Sequence, residues 1–132
     1  MIAALVLALS PVAGPPAPEA ETFPEARAPM IGLDGPEFDA CGGLGRIGGA
    51  YRKQAIRNAP SERAKTSETL EASTMVWLCE AKGDWQGIVY ASGEFQDTAD
   101  CRVSNPVAEP RPYDGPCRMG WVLAKDVDFL AG

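Results

Sequence analysis

The groups able to do chemistry in this chain are four cysteines, Cys41, Cys79, Cys101 and Cys117, together with scattered carboxylates and no histidine. A structural zinc site draws its thiolates and imidazoles from closely spaced pairs. Here the cysteines stand 38, 22 and 16 residues apart with no C-x-x-C, so no metal is expected. A Ser or Cys nucleophile needs an adjacent base, most often His, and the chain has none. Asp126 and Asp128, or Glu94, Asp97 and Asp100, could form carboxylate pairs, but they stand in turn-rich sequence and are read as solvated charge. The Glu94–Asp100 stretch also lacks the glycine and terminal Glu of an EF-hand loop. Gly43–Gly48, "GLGRIG", satisfies G-x-G-x-x-G, with Glu68 some way beyond. That fingerprint works between a strand and a helix that receives a pyrophosphate. Here it lies between a Pro-rich stretch and a short strand, and is read as a flexible lead-in. No cofactor and no catalytic residue are expected.

Cysteine chemistry also depends on compartment. The opening "MIAALVLALSPVAG" has an apolar run, Ile2–Leu9, followed by small residues, which fits a secretory signal over residues 1–14 although no Lys or Arg follows Met1. The run is too short to cross a bilayer, so no membrane span is expected. Four cysteines in an exported chain read as two disulfides with three possible connectivities. Residues 15–36 are rich in Pro, Ala and Glu and are expected to be an extended, solvated linker rather than packed structure. With 12 basic and 18 acidic side chains the net charge is -6, and no basic stripe interleaves with aromatics, which makes nucleic acid and anionic membrane poor partners.

Residues 37–130 must position whatever remains. Short runs rich in β-branched and aromatic residues, "YRKQAIR", "TMVWLCE", "WQGIVYA" and "GWVLAKDVDFL", alternate with turn sequences such as "NAP", "KGD" and "YDGP". This predicts an all-β unit. Ser61–Ser73 offers only Ala64 and Leu70 as apolar contacts and is expected to be a mobile loop with at most one helical turn. In Met75–Cys79 the alternation puts Val76 and Leu78 toward the core and Met75, Trp77 and Cys79 on the other face, toward the surface or a covering segment. In Trp85–Tyr90 the facing is ambiguous, because a bulge at Gly87 would reverse it. The expected core is Ile56, Leu70, Val76, Leu78, Ile88, Val122 and Val127.

The order "AIRNAP", "LEASTMV", "GDWQGIVY" and "GWVLAKDVDFL" resembles the bacterial SH3 (SH3b) family, in particular a secreted, cysteine-bearing branch of it. Ala59 and Ser73 depart from the pattern, each standing where a glycine is usual. The resemblance implies a small SH3-like barrel in which residues 91–118 form a long insertion in place of a tight hairpin. The favoured pairing staples that insertion by Cys101–Cys117, closing a loop of about 17 residues for roughly 3 kcal/mol in the chain-entropy model. Cys41–Cys79 would then pin the segment ahead of the barrel to the Trp77 strand. The cell-wall peptidase activity often fused to such domains has no residues to carry it here.

What is left is recognition by aromatics. Trp85, Tyr90, Tyr113 and Trp121 fall at strand starts or in the insertion, where they could line a surface groove that Trp77 joins from the outer face; for Trp85 and Trp121 packing at the rim of the core is an equal alternative. The expected function is that of a periplasmic or secreted, non-catalytic binding module for a peptide, a protein or peptidoglycan. The alternative is an accessory protein that contacts another subunit through its insertion loop. Oligomeric state is left open.

Overall fold

The computed structural model describes residues 3–5, 23–49, 52–91 and 100–132. The signal segment, apart from residues 3–5, the first part of the linker and residues 92–99, with Glu94 and Asp97, lie outside these described residues. Among the described residues the strands are, in chain order, β1 (Met30–Ile31), β2 (Gly43–Ile47), β3 (Lys53–Arg57), β4 (Thr66–Glu71), β5 (Met75–Lys82), β6 (Trp85–Tyr90), β7 (Arg111–Pro112), β8 (Arg118–Leu123) and β9 (Val127–Ala131). A 3₁₀ turn, Ala124–Asp126, joins β8 to β9. Strands β1 and β7 form a small separate ladder. The other seven make one sheet in the order β4-β3-β8-β6-β5-β2-β9, antiparallel at every pairing.

The fold is all-β, as expected, but the sheet is not closed into a barrel. Among the described residues, β4 pairs only with β3 and β9 only with β2.

Two further expectations are corrected. Ser61–Ser73 is not a mobile loop, because Thr66–Glu71 pairs with β3 from Lys53↔Glu71 to Arg57↔Thr66. Its single apolar contact, Leu70, packs on the core beneath. "GLGRIG" is not a lead-in but a strand held between β5 and β9. A side chain at Gly45 would come within 2.8 Å of Val127 Cγ1 and 3.0 Å of the Asp128 carbonyl oxygen, so glycine here lets β9 approach β2 closely. Among the described residues the next element is the strand β3 and not the helix that the dinucleotide fingerprint requires.

The two faces of the sheet carry separate clusters. One contains Ile47, Ile56, Val76, Ile88, Tyr90 and Val122, with Leu70, Leu78 and Val127 packed against it. All seven residues of the expected core lie there. The other contains Ile31, Ala40, Cys41, Val89, Ala91, Cys101, Val103 and Tyr113, with Trp77, Cys79, Val107 and Cys117 against it. The facing of Met75–Cys79 is therefore as the alternation reads. The bulge lies in β5 at Cys79 rather than at Gly87, since Leu78 pairs with Ile88 and Glu80 with Gly87.

The second face is covered by chain rather than by sheet. Both disulfides are formed, Cys41–Cys79 and Cys101–Cys117. Residues 27–41, expected as a solvated linker up to 36, pack onto this face. Proline-rich sequence lacks amide donors, but its carbonyls still accept: the Arg27 carbonyl from Trp121 Nε1 at 2.7 Å, and the Pro29 carbonyl from the Tyr113 N–H at 2.8 Å. Glu80 accepts from Arg27 Nη2 at 2.8 Å and from the Met30 N–H at 3.0 Å. Pro29 sits over Gly87, where any Cβ would come within 2.8 Å of the proline ring.

Candidate functional site

The five aromatic residues expected to form a groove are not assembled as one. Trp121 is fully buried; its ring lies under the Arg27 guanidinium, 5.2 Å away, and its indole N–H is used by the Arg27 carbonyl. Tyr90 is buried in the core cluster and donates its hydroxyl to Glu68, which also holds Arg118 at 2.9 Å. Burial, reinforced by the Glu68 hydrogen bond and charge, pushes the Tyr90 phenol well above its usual range.

Tyr113 is 3% exposed and works as an internal strut. Its hydroxyl donates to the Cys101 carbonyl at 2.9 Å and accepts from the Cys117 N–H at 3.0 Å, tying together both ends of the stapled loop. Burial raises its pKa, and the Cys117 hydrogen bond opposes that shift. Trp77 is half-buried against the disulfide-bearing cluster. Trp85, also half-buried, lines a small groove of about 380 Å³ with Arg57, Glu62 and Leu123. Trp85 pairs with Lys82 and Trp77 with Val89, so the two stand at opposite ends of the β5–β6 hairpin.

The cysteines supply no chemistry, because all four are consumed in disulfides. Among the described residues no cluster of three or more His, Cys, Asp or Glu could hold a metal ion. Asp128 is engaged by Arg46 at 3.6 Å, an exposed pair, and Asp100 accepts from the Arg102 N–H at 2.8 Å.

The open apolar surface lies elsewhere. A groove of about 700 Å³ runs between the loop leading into β2 and the β9 edge. Leu78, Cys79 and Gly43 contribute to it from β5 and β2, Phe38 from the loop, and Phe129 from β9. Phe38 is 60% and Phe129 65% exposed, in a chain that buries Tyr90, Tyr113 and Trp121. Asp34, Glu37 and Asp39 also line the groove, and among the described residues no Lys or Arg does.

Each residue reaches the groove for a local reason. The Cys41–Cys79 bridge anchors the loop to the β5 bulge, and hydrogen bonds from the Ala40 and Cys41 N–H groups to the Asn105 and Val103 carbonyls fix it at 3.0 Å each. Phe129 stands opposite Gly45, which offers no side chain to pack against it. Sequence reasoning missed both phenylalanines. Phe38 belongs to no alternating run, and the exposure of Phe129 depends on its cross-strand glycine, which only the register reveals. The lining therefore combines two exposed aromatic rings with three carboxylates.

The chain has no match among protein-family models, curated proteins or solved structures.

Proposed function

We propose that this protein is an exported, non-catalytic recognition module that holds an extended peptide or protein segment in the groove between residues 34–43 and β9. The observation that carries the reading is the pair of large exposed side chains, Phe38 and Phe129, both lining one groove. Exposed aromatics in a cleft supply contact area at low entropic cost, and a polar surround adds orientation. The motif order that resembles SH3b domains supports a binding role. Two disulfides support a periplasmic or secreted location, where such bonds persist. Among the described residues, no helix is long and apolar enough to cross a membrane. The accessory reading, with the insertion as a contact arm, draws less support, since its described part is spent on the chain's own sheet through Tyr113, Val103 and Cys101.

The test is amide chemical-shift mapping on titration with unstructured peptides of alternating apolar and polar residues, alongside sedimentation with purified peptidoglycan. Shifts centred on Phe38 and Phe129, abolished in Phe38→Ala and Phe129→Ala, are expected. Shifts elsewhere, or sedimentation with peptidoglycan unaffected by either substitution, contradict the groove reading.

A further inference from the structure

Resting on that groove reading, we infer that the occupant is an extended, cationic segment of a partner protein that joins the sheet as an added strand along β9. Three observations converge. First, β9 is a sheet edge: it pairs with β2 through Ile47↔Val127 and Arg46↔Asp128, and among the described residues no strand lies on its other side. Second, its protection is limited to a bulge at Leu130, which stands unpaired between Phe129↔Gly45 and Ala131↔Leu44. Its sequence, "VDFLA", has no Pro or Lys, its one charge is Asp128, and Phe129 and Leu130 are exposed at 65% and 41%. Third, the groove that crosses the sheet from Gln86 and Ala81 and reaches this edge at Phe129 presents Asp34, Glu37 and Asp39, with no lining cation among the described residues.

Side chains alternate along a strand, so Val127 and Phe129 project to one face and Asp128 to the other, and the bulge at Leu130 interrupts the alternation before Ala131. A strand laid against Val127–Phe129 would send every second side chain toward Phe129, Phe38 and the carboxylates. Its intervening side chains would meet Asp128. Main-chain hydrogen bonds would give affinity and the alternating contacts specificity. Lys or Arg on the groove side, with apolar residues beside them, is the pattern these contacts select.

A second copy of this chain is the other natural occupant of a bare edge. It is disfavoured on charge: each copy carries -6, and pairing β9 with β9 would bring together two acidic surfaces with no cation lining either groove. The opposite sheet edge offers no equivalent, because the one apolar residue of β4, Leu70, is packed on the core.

The experiment uses the full chain and three synthetic eight-residue probes: alternating Val/Lys, alternating Val/Glu, and the Val/Lys peptide N-methylated along its centre, which keeps charge but removes the strand's donors. Affinity is measured by calorimetry and β9 amide exchange by NMR. The Val/Lys peptide is expected to bind, to slow exchange within Val127–Phe129, and to bind at least about tenfold better than either other probe. Equal binding of the N-methylated peptide, with unchanged β9 exchange and shifts at Phe38, overturns strand addition and leaves the groove reading standing. Equal binding of the Val/Glu peptide overturns the charge assignment. Binding of none of the three overturns both readings. Protection of β9 that grows with protein concentration alone names a second copy as the occupant and overturns the inference.

Discussion

The two faces of the sheet are built from different materials. One closes over Ile47, Ile56, Val76, Ile88, Tyr90 and Val122, supplied almost wholly by strands, and holds no cross-link. The other is roofed by residues 27–41 and 100–117, which contribute little regular structure and are fixed by both disulfides and by polar anchors on Glu80, Trp121 and Tyr113. Irregular chain has few ladder hydrogen bonds and loses much entropy on ordering, so covalent closure offsets what packing alone does not. The roof also absorbs Trp77, Tyr113 and Trp121, aromatic residues that would otherwise face solvent. The groove beside β9, which neither layer covers, is where the proposed recognition would fall.

Removing the cross-links should break this contrast most strongly. Replacing Cys41 and Cys79 with Ser is expected to cost about 4 kcal/mol, and replacing Cys101 and Cys117 about 3 kcal/mol, from the lengths of the loops closed. Denaturant unfolding measures the totals. Amide exchange should rise first in residues 27–41 and 100–117, while β3, β5, β6 and β8 stay protected; uniform loss across both faces would refute the division.

The pH response sharpens the comparison from the strand-built side. Tyr90 has a folded-state pKa raised above its unfolded value, so the folded state holds its proton more tightly. Its contribution is fully present below pH ~10 and is lost as pH rises above that value, with a slope of at most about 1.4 kcal/mol per pH unit. Tyr90→Phe should flatten that slope in alkaline denaturation. Tyr113, shifted in the same direction, adds to it from the roofed side.

Two smaller effects follow. Trp121→Phe keeps an aromatic ring but removes both the hydrogen bond to the Arg27 carbonyl and the volume of the pyrrole ring at a fully buried site, and should cost about 2 kcal/mol, with exchange rising in residues 27–31. Ser73 adopts φ 70° in the turn between β4 and β5, a conformation that glycine reaches without a Cβ penalty. Ser73→Gly should therefore gain about 0.5 kcal/mol in thermal unfolding.

Much of the strand-built face was legible because its signal is local. Alternation in Met75–Cys79 separates Val76 and Leu78 from Trp77 and Cys79, and that division survives in the two clusters. Strand β4 was not legible, since "TSETLE" has one apolar residue and owes its place to the ladder with β3. Strand β2 was hidden by its glycines, which the close approach of β9 requires. The roof was hidden by composition: a Pro-rich segment reads as solvated, yet it binds through carbonyls that Trp121 and Tyr113 happen to reach. The resemblance placed aromatics at strand starts, but which of them a later layer would cover depends on contacts between Arg27 and Trp121, 94 residues apart. The groove itself depends on the pairing of Phe129 with Gly45 and on a loop placed by a disulfide to the β5 bulge.

The central claim is that recognition resides at Phe38 and Phe129 and not at the aromatic residues built into the fold. Calorimetric affinity for the Val/Lys peptide, compared among wild type, the Phe38→Ala/Phe129→Ala double variant and Trp85→Ala, tests it most directly. The account predicts a loss of at least about thirtyfold, about 2 kcal/mol, in the double variant and no change in Trp85→Ala. Full affinity in the folded double variant, with a loss in Trp85→Ala, would contradict it.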